Sequence, residues 1–206
     1  MKQKKNKIRK GDYGYISSQK KRRLAITLVL FAIPLMIFFT GLIQTKTRNN
    51  LLTVVALLGC LPACKSLVGM IMMWMQKPMK REIYEKIVPH TGDLVMSYEM
   101  CLTTYEKNLF VDAFAVCGNT VVGYADQLKQ KDSAYMEEHV QKILRSNGYK
   151  EKVRIFTELK PFLERLDYMN SHKEELNENI RFTPDESYPD LSRDELIKHT
   201  ILAISL

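Results

Sequence analysis

Few residues in this chain have the types and spacing that chemistry needs. His90, His139, His172 and His199 are scattered and make no H-x-x-x-H or H-E-x-x-H pair, so no two can meet one metal from one helix face. Cys60 and Cys64 lie a helical turn apart, but two thiols without His or acidic neighbours do not complete a zinc site. Small-residue packing is the plain reading of that pair, and palmitoylation near a membrane interface the other. Cys101 and Cys117 fall in neighbouring strand-like segments and read as free core thiols in a reducing cytoplasm. No P-loop, no G-x-G-x-x-G turn and no G-x-S-x-G elbow occurs. What remains is a spaced set of two acids and a lysine, Asp112, Asp126 and Lys129, and one charge inside an apolar run, Lys65.

The acids act together only if a sheet gathers them. A short helix is expected over 79–88, ending before Pro89. Alternation over 93–106 places Leu94, Met96, Tyr98, Met100 and Leu102 on one strand face. Lys107 and Asn108 make a turn, and Gly118-Asn119 closes a two-residue hairpin between strands over 109–117 and 120–125. A helix capped by Asp132 or Ser133 follows, with Met136, Val140, Ile143 and Leu144 as its apolar stripe and Asn147-Gly148 as its stop. Then come a strand over 153–157, a helix opened by Pro161, and a polar loop over 170–189. Ser192-Arg-Asp-Glu195 is a capping box for a last helix, although 200–206 also reads as an edge strand.

A helix, three antiparallel strands, a helix and a strand is an order similar to the restriction-endonuclease-like core. That resemblance implies a divalent metal held by an Asp of the second strand and an acid-x-Lys of the third. Asp112 and Asp126 stand at the acid positions, but Leu128 occupies the lysine's place and Lys129 comes one residue late. On a strand a one-residue shift turns the side chain to the other face. The resemblance therefore implies a degenerate metal-dependent centre, and an outward-facing polar Asp112 is the stronger reading.

Upstream the composition changes character. Residues 24–43 are 20 in a row without a charge, and 51–75 are 25 with Lys65 alone. At 1.5 Å per residue either stretch crosses a hydrocarbon core of about 30 Å. With seven residues between them they read as a transmembrane helical hairpin, because lipid demands internally paired backbone. The first stretch is too long, and too closely followed by the second, for a cleaved signal. Gly59 and Ala63 are a small-xxx-small pair that admits a neighbouring helix, from this chain or a second copy. Lys65, fifteenth of 25, falls near mid-membrane if the helix is straight and meets no acid in either span. If Pro62 breaks the helix, Lys65 instead snorkels to the interface.

Charge sets orientation. Ten Lys and Arg precede the first span: Lys2, Lys4, Lys5, Lys7, Arg9, Lys10, Lys20, Lys21, Arg22 and Arg23. Lys77, Lys80, Arg81 and Lys86 follow the second, and only Lys46 and Arg48 lie between. The positive-inside rule puts both termini in the cytoplasm and loop 44–50 outside. Residues 1–75 carry 13 cations and one acid, Asp12, whereas 76–206 carry 18 cations and 22 acids. The net +8 thus belongs to the membrane end, which disfavours nucleic acid as a partner and favours the anionic inner leaflet, with Lys20, Lys21, Arg22 and Arg23 as the surface-binding residues. Gly11, Tyr13, Gly14 and Tyr15 suggest a flexible segment at headgroup depth.

The expected architecture is a basic cytoplasmic arm (1–23), a two-span hairpin (24–75) and a small cytoplasmic α/β (α+β) domain (76–206). That domain holds a three-stranded antiparallel meander plus one further strand. The expected role is an interaction or regulatory domain at the cell membrane, an accessory subunit bound to another membrane protein or to its own copies. No cofactor or metal is expected for that role. A membrane-tethered metal-dependent enzyme and an oligomeric transport component are the alternatives.

Overall fold

The structure, a computed structural model, describes residues 8–47, 50–104, 108–178, 180, 182 and 188–205. Lys2, Lys4, Lys5, Lys7, Arg48, Glu106, Lys107 and Leu206, used in the sequence reading, lie outside these residues. The chain forms two compact units. One is Ile16–Lys77; the other joins the described residues up to Tyr15 with those from Pro78 onward.

The first unit is a pair of long helices, α1 (Tyr15–Thr45) and α2 (Leu51–Met75). Asn50 caps α2, its Oδ1 accepting from the Thr53 amide at 2.8 Å. The helices run antiparallel. Thr27 and Ser66 share a hydroxyl hydrogen bond of 2.8 Å, and a Cβ on Gly59 would stand 3.3 Å from Pro34. Buried positions on α1 include Thr27, Pro34 and Gly41, and on α2 Ala56 and Ala63. Their seven-residue spacing gives a narrow seam of small side chains, as in a coiled coil. Many of the large apolar side chains on the helices are exposed, including Leu28, Met36 and Leu61. Both helices are long and apolar enough to cross a membrane.

Two expectations change here. Pro62 does not break α2, which continues from Leu51 to Met75. A proline forfeits one backbone bond, and close packing beside it at Ala63 supports the helix through the gap. And α1 begins at Tyr15, ahead of the span expected from Leu24, so the basic run Lys20–Arg23 is helical.

The second unit is a mixed sheet between helices. Its strands are β1 (Val95–Thr103), β2 (Asn108–Cys117), β3 (Thr120–Tyr124) and β4 (Lys152–Phe156), in the order β1-β2-β3-β4. The first three form the antiparallel meander. The further strand does not stand apart: β4 joins the same sheet parallel to β3, after the crossover helix α4 (Gln130–Ser146). Asn108, expected in a turn, opens β2. Gly118, at φ +56, makes the tight β2–β3 turn.

Helices cover both faces. On one, Met136, Val140 and Leu144 of α4 meet Ile197 and Ile201 of α7 (Arg193–Ala203) over Phe114, Val116 and Val121. On the other, Ile83 and Ile87 of α3 (Arg81–Ile87) join Phe162, Leu166 and Met169 of α5 (Leu159–Ser171) over Ala113, Ala115 and Val122. Between α5 and α7 lies a short helix, α6 (Lys173–Asn177), within the segment expected to be mostly loop. Lys129 rather than Asp132 or Ser133 stands at the N-cap of α4. The capping box of α7 is present, with Ser192 and Glu195 bonded reciprocally.

Alternation along β1 does not hold. Leu94, Met96 and Tyr98 belong to the α3/α5 side, but Met100 and Leu102 belong to the α4/α7 side. The phase changes at Glu99, whose φ of +52 turns the backbone left-handed. On β2 the change falls at Asp112: Leu109 and Val111 pack on the α4/α7 side, Ala113 and Ala115 on the other.

The β1 edge is covered by both ends of the unit. The Tyr98 amide donates to the Gly11 carbonyl at 2.8 Å, and Ser205 bridges Leu102. Tyr13 stacks on Tyr84 with ring centroids 3.9 Å apart, and the Lys10 ammonium bonds the Ser205 carbonyl. The segment expected to be flexible at headgroup level is thus packed on the sheet unit up to Tyr15. Its glycines allow that approach: Gly11, at φ +90, is buried against Leu202 and Ser97.

Candidate functional site

Asp112 and Asp126 do come together. Asp112 lies at the phase change of β2, and its Oδ2 accepts the Asp126 amide at 2.8 Å. Asp126, just past β3, takes the Lys80 ammonium at 2.8 Å on Oδ2 and the Tyr124 hydroxyl at 3.3 Å on Oδ1. Burial pushes the Asp112 carboxyl above the ordinary carboxylate range, while the Lys80 ammonium holds Asp126 below it. Burial, with Asp126 beside it, raises the Tyr124 phenol.

The lysine of the set is therefore Lys80, at the N-cap of α3. Lys129 is exposed at the start of α4 and joins no acid of the pair. Nothing in the sequence marked Lys80 beyond its place among the cations that follow the second apolar run. Among the described residues no group of three His, Cys, Asp or Glu is arranged to hold a metal. The pair acts as a latch, tying the chain entering α3 to the ends of β2 and β3.

A second charged cluster escaped the sequence reading. Arg193, one residue past the capping serine, pairs with the buried Glu151 and donates to the Gly118 carbonyl at 2.8 Å and Asn119 Oδ1 at 3.2 Å. Asp194 accepts the Gly118 amide at 3.2 Å. Burial raises the carboxyls of both Glu151 and Asp194. These bonds fasten α7 to the β2–β3 turn.

In the hairpin the four basic residues divide. Lys20 donates to the Gln76 carbonyl at 2.6 Å and Arg23 Nη1 to the Gly69 carbonyl at 3.0 Å, so both brace the end of α2. Lys21 and Arg22 point outward and are exposed. Gly59 and Ala63 lie along the α1–α2 seam, Gly59 beside Pro34. Lys65 is exposed, in a crevice lined by Arg23, Ile26, Pro62, Ser66 and Gly69. No known family pattern matches the chain, and neither curated proteins nor solved structures yield a match.

Proposed function

We propose that this is a two-span membrane protein with both ends in the cytoplasm, whose α/β unit is a non-catalytic interaction module of a membrane complex. The observation that carries the reading is the apolar exterior of the hairpin. Leu28 at 63%, Met36 at 68% and Leu61 at 67% exposure leave the helices without a protein cover along a length that matches a bilayer. The arm supports the topology. Residues on either side of the hairpin build one folded body, which requires them to be on one side of the membrane. The excess of Lys and Arg at that end favours the cytoplasmic side.

Carbonate extraction tests the anchor, with retention in the pellet expected. In a Cys60→Ala, Cys64→Ala background, Thr47→Cys should react with an impermeant maleimide in intact cells, and Lys160→Cys only after lysis. The reverse pattern would overturn the topology. Purification in mild detergent tests the complex. A stoichiometric membrane partner is expected, and a protein that emerges alone would remove the subunit reading.

One observation favours a second reading. Two carboxylates with opposite pKa shifts and a lysine converge at Asp112, Asp126 and Lys80. A metal-dependent hydrolase would show Mn²⁺ binding to the full chain that Asp112→Ala abolishes. We favour the interaction module because Asp112 Oδ2 and both Asp126 carboxylate oxygens already bond within the fold.

A further inference from the structure

We infer that the crevice at the basic end of the hairpin is a site for the phosphate of one anionic membrane lipid, held by Arg23 and Lys65. The inference rests on the membrane reading above and adds a particular ligand and place to it. Three observations converge. The first is charge: Ile16–Lys77 contains no Asp or Glu, so neither cation finds a counter-charge within its own unit. The second is depth. Arg23 reaches Gly69, and Lys65 precedes Gly69 by one turn, about 6 Å along the helix axis. The uncharged run of α1 begins right after Arg23, so this level is the cytoplasmic edge of the hydrocarbon and not its middle.

The third is shape. The crevice, about 370 Å³, is lined by the apolar Ile26 and Pro62 and by the small residues Ser66 and Gly69 beside the two cations. Arg23 spends one N–H on Gly69, which orients the guanidinium and leaves its other donors for an incoming oxygen. A lipid phosphate reaches this level by its own partitioning, with its acyl chains along exposed Ile26 and Leu61. A free anion would have to leave water to meet Lys65. Lys65 is then not a charge stranded in lipid but half of a bidentate phosphate clamp at its boundary.

Full-length protein purified in detergent and partly delipidated can be weighed intact by native mass spectrometry. The expected result is retention of one phosphatidylglycerol in preference to phosphatidylcholine. Lys65→Gln and Arg23→Gln should each cut retention about tenfold, as for one lost charge-assisted contact. Lys142→Gln and Lys160→Gln, exposed on the α/β unit, should leave it unchanged, and Lys65→Arg should restore it. Equal retention of both lipids, equal effects of all four glutamine variants, or displacement by millimolar inorganic phosphate would each overturn the site. Far-UV circular dichroism checks that the variants keep their helices. Release of the wild type by carbonate would instead overturn the membrane reading itself, so the two failures are separable.

Discussion

Leu61 and Leu166 are leucines in the middle of helices, and they meet opposite surroundings. Leu61 on α2 is 67% exposed, while Leu166 on α5 is fully enclosed under the sheet. The same contrast runs through the two units. In the hairpin the small residues Ala56, Gly59 and Ala63 meet the partner helix and the large apolar ones face out. In the α/β unit the small residues Ala113 and Ala115 lie on the sheet, and large side chains from α3 and α5 close over them. Water drives the second arrangement, by expelling apolar surface. In the lipid setting proposed for the hairpin that drive is absent, and helices associate through close backbone approach. Acids follow the same division: the hairpin has none, and the α/β unit uses Asp112, Asp126, Glu151 and Asp194 to fasten its elements.

The contrast can be broken most directly at the leucines. Leu166→Ala should cost about 2–5 kcal/mol, as cavity-forming core substitutions do. Leu61→Ala should leave the unfolding of the α/β unit unchanged. Thermal melts followed by tyrosine near-UV dichroism would read both, since Trp74, the only tryptophan, belongs to α2. A similar loss in the two variants would mean that Leu61 is covered by protein after all.

Glycines sharpen it at the next level. Gly118→Ala puts a side chain at positive φ, with its Cβ 2.2 Å from the Leu176 carbonyl oxygen, and should cost of order 1–3 kcal/mol. Gly59→Ala has ordinary helical φ and meets only Pro34 at 3.3 Å, so helix separation by a few tenths of an ångström absorbs it. Cross-linking between cysteines placed on α1 and α2 should report no loss of pairing for Gly59→Ala.

The smallest effect concerns acid. Asp126 has its pKa lowered by Lys80, so its stabilisation is complete above the ordinary 3.8 and is lost as pH falls through the lower folded value. Asp126→Asn should therefore lower the melting temperature at pH 7, with the gap to wild type closing below pH 3.8. Asp112 runs the other way, because burial raises its pKa and ionisation costs stability at neutral pH. Asp112→Asn, whose amide oxygen can still accept the Asp126 N–H, should not lower the pH 7 melt. A lower melt would mean that the charge itself is needed there.

Much of this was legible because long patterns average over local exceptions. The uncharged run from Leu24, the Gly118-Asn119 turn and the Ser192–Glu195 box each predict their element from residues that have few alternatives. The face of β1 was not legible. With helices on both sides of the sheet, Met100, Cys101 and Leu102 are all apolar, and nothing in the letters shows the phase change at Glu99. Lys80 and Arg193 were missed for a related reason. Their partners lie 46 and 42 residues away, and a lone cation carries no sign of which distant carboxylate it will meet.

The packing of Gly11 against Tyr98 also imposes a calendar on synthesis. The arm leaves the ribosome ahead of the strand edge that it seals, which is made only after both long apolar helices. At typical elongation rates that interval is on the order of ten seconds. During it the arm has no partner on this sheet, and β1, once made, is an open edge that can recruit foreign strands until the arm returns. Under the proposed topology, insertion of the hairpin precedes completion of the sheet, and a cell in which insertion stalls would accumulate chains with that edge bare.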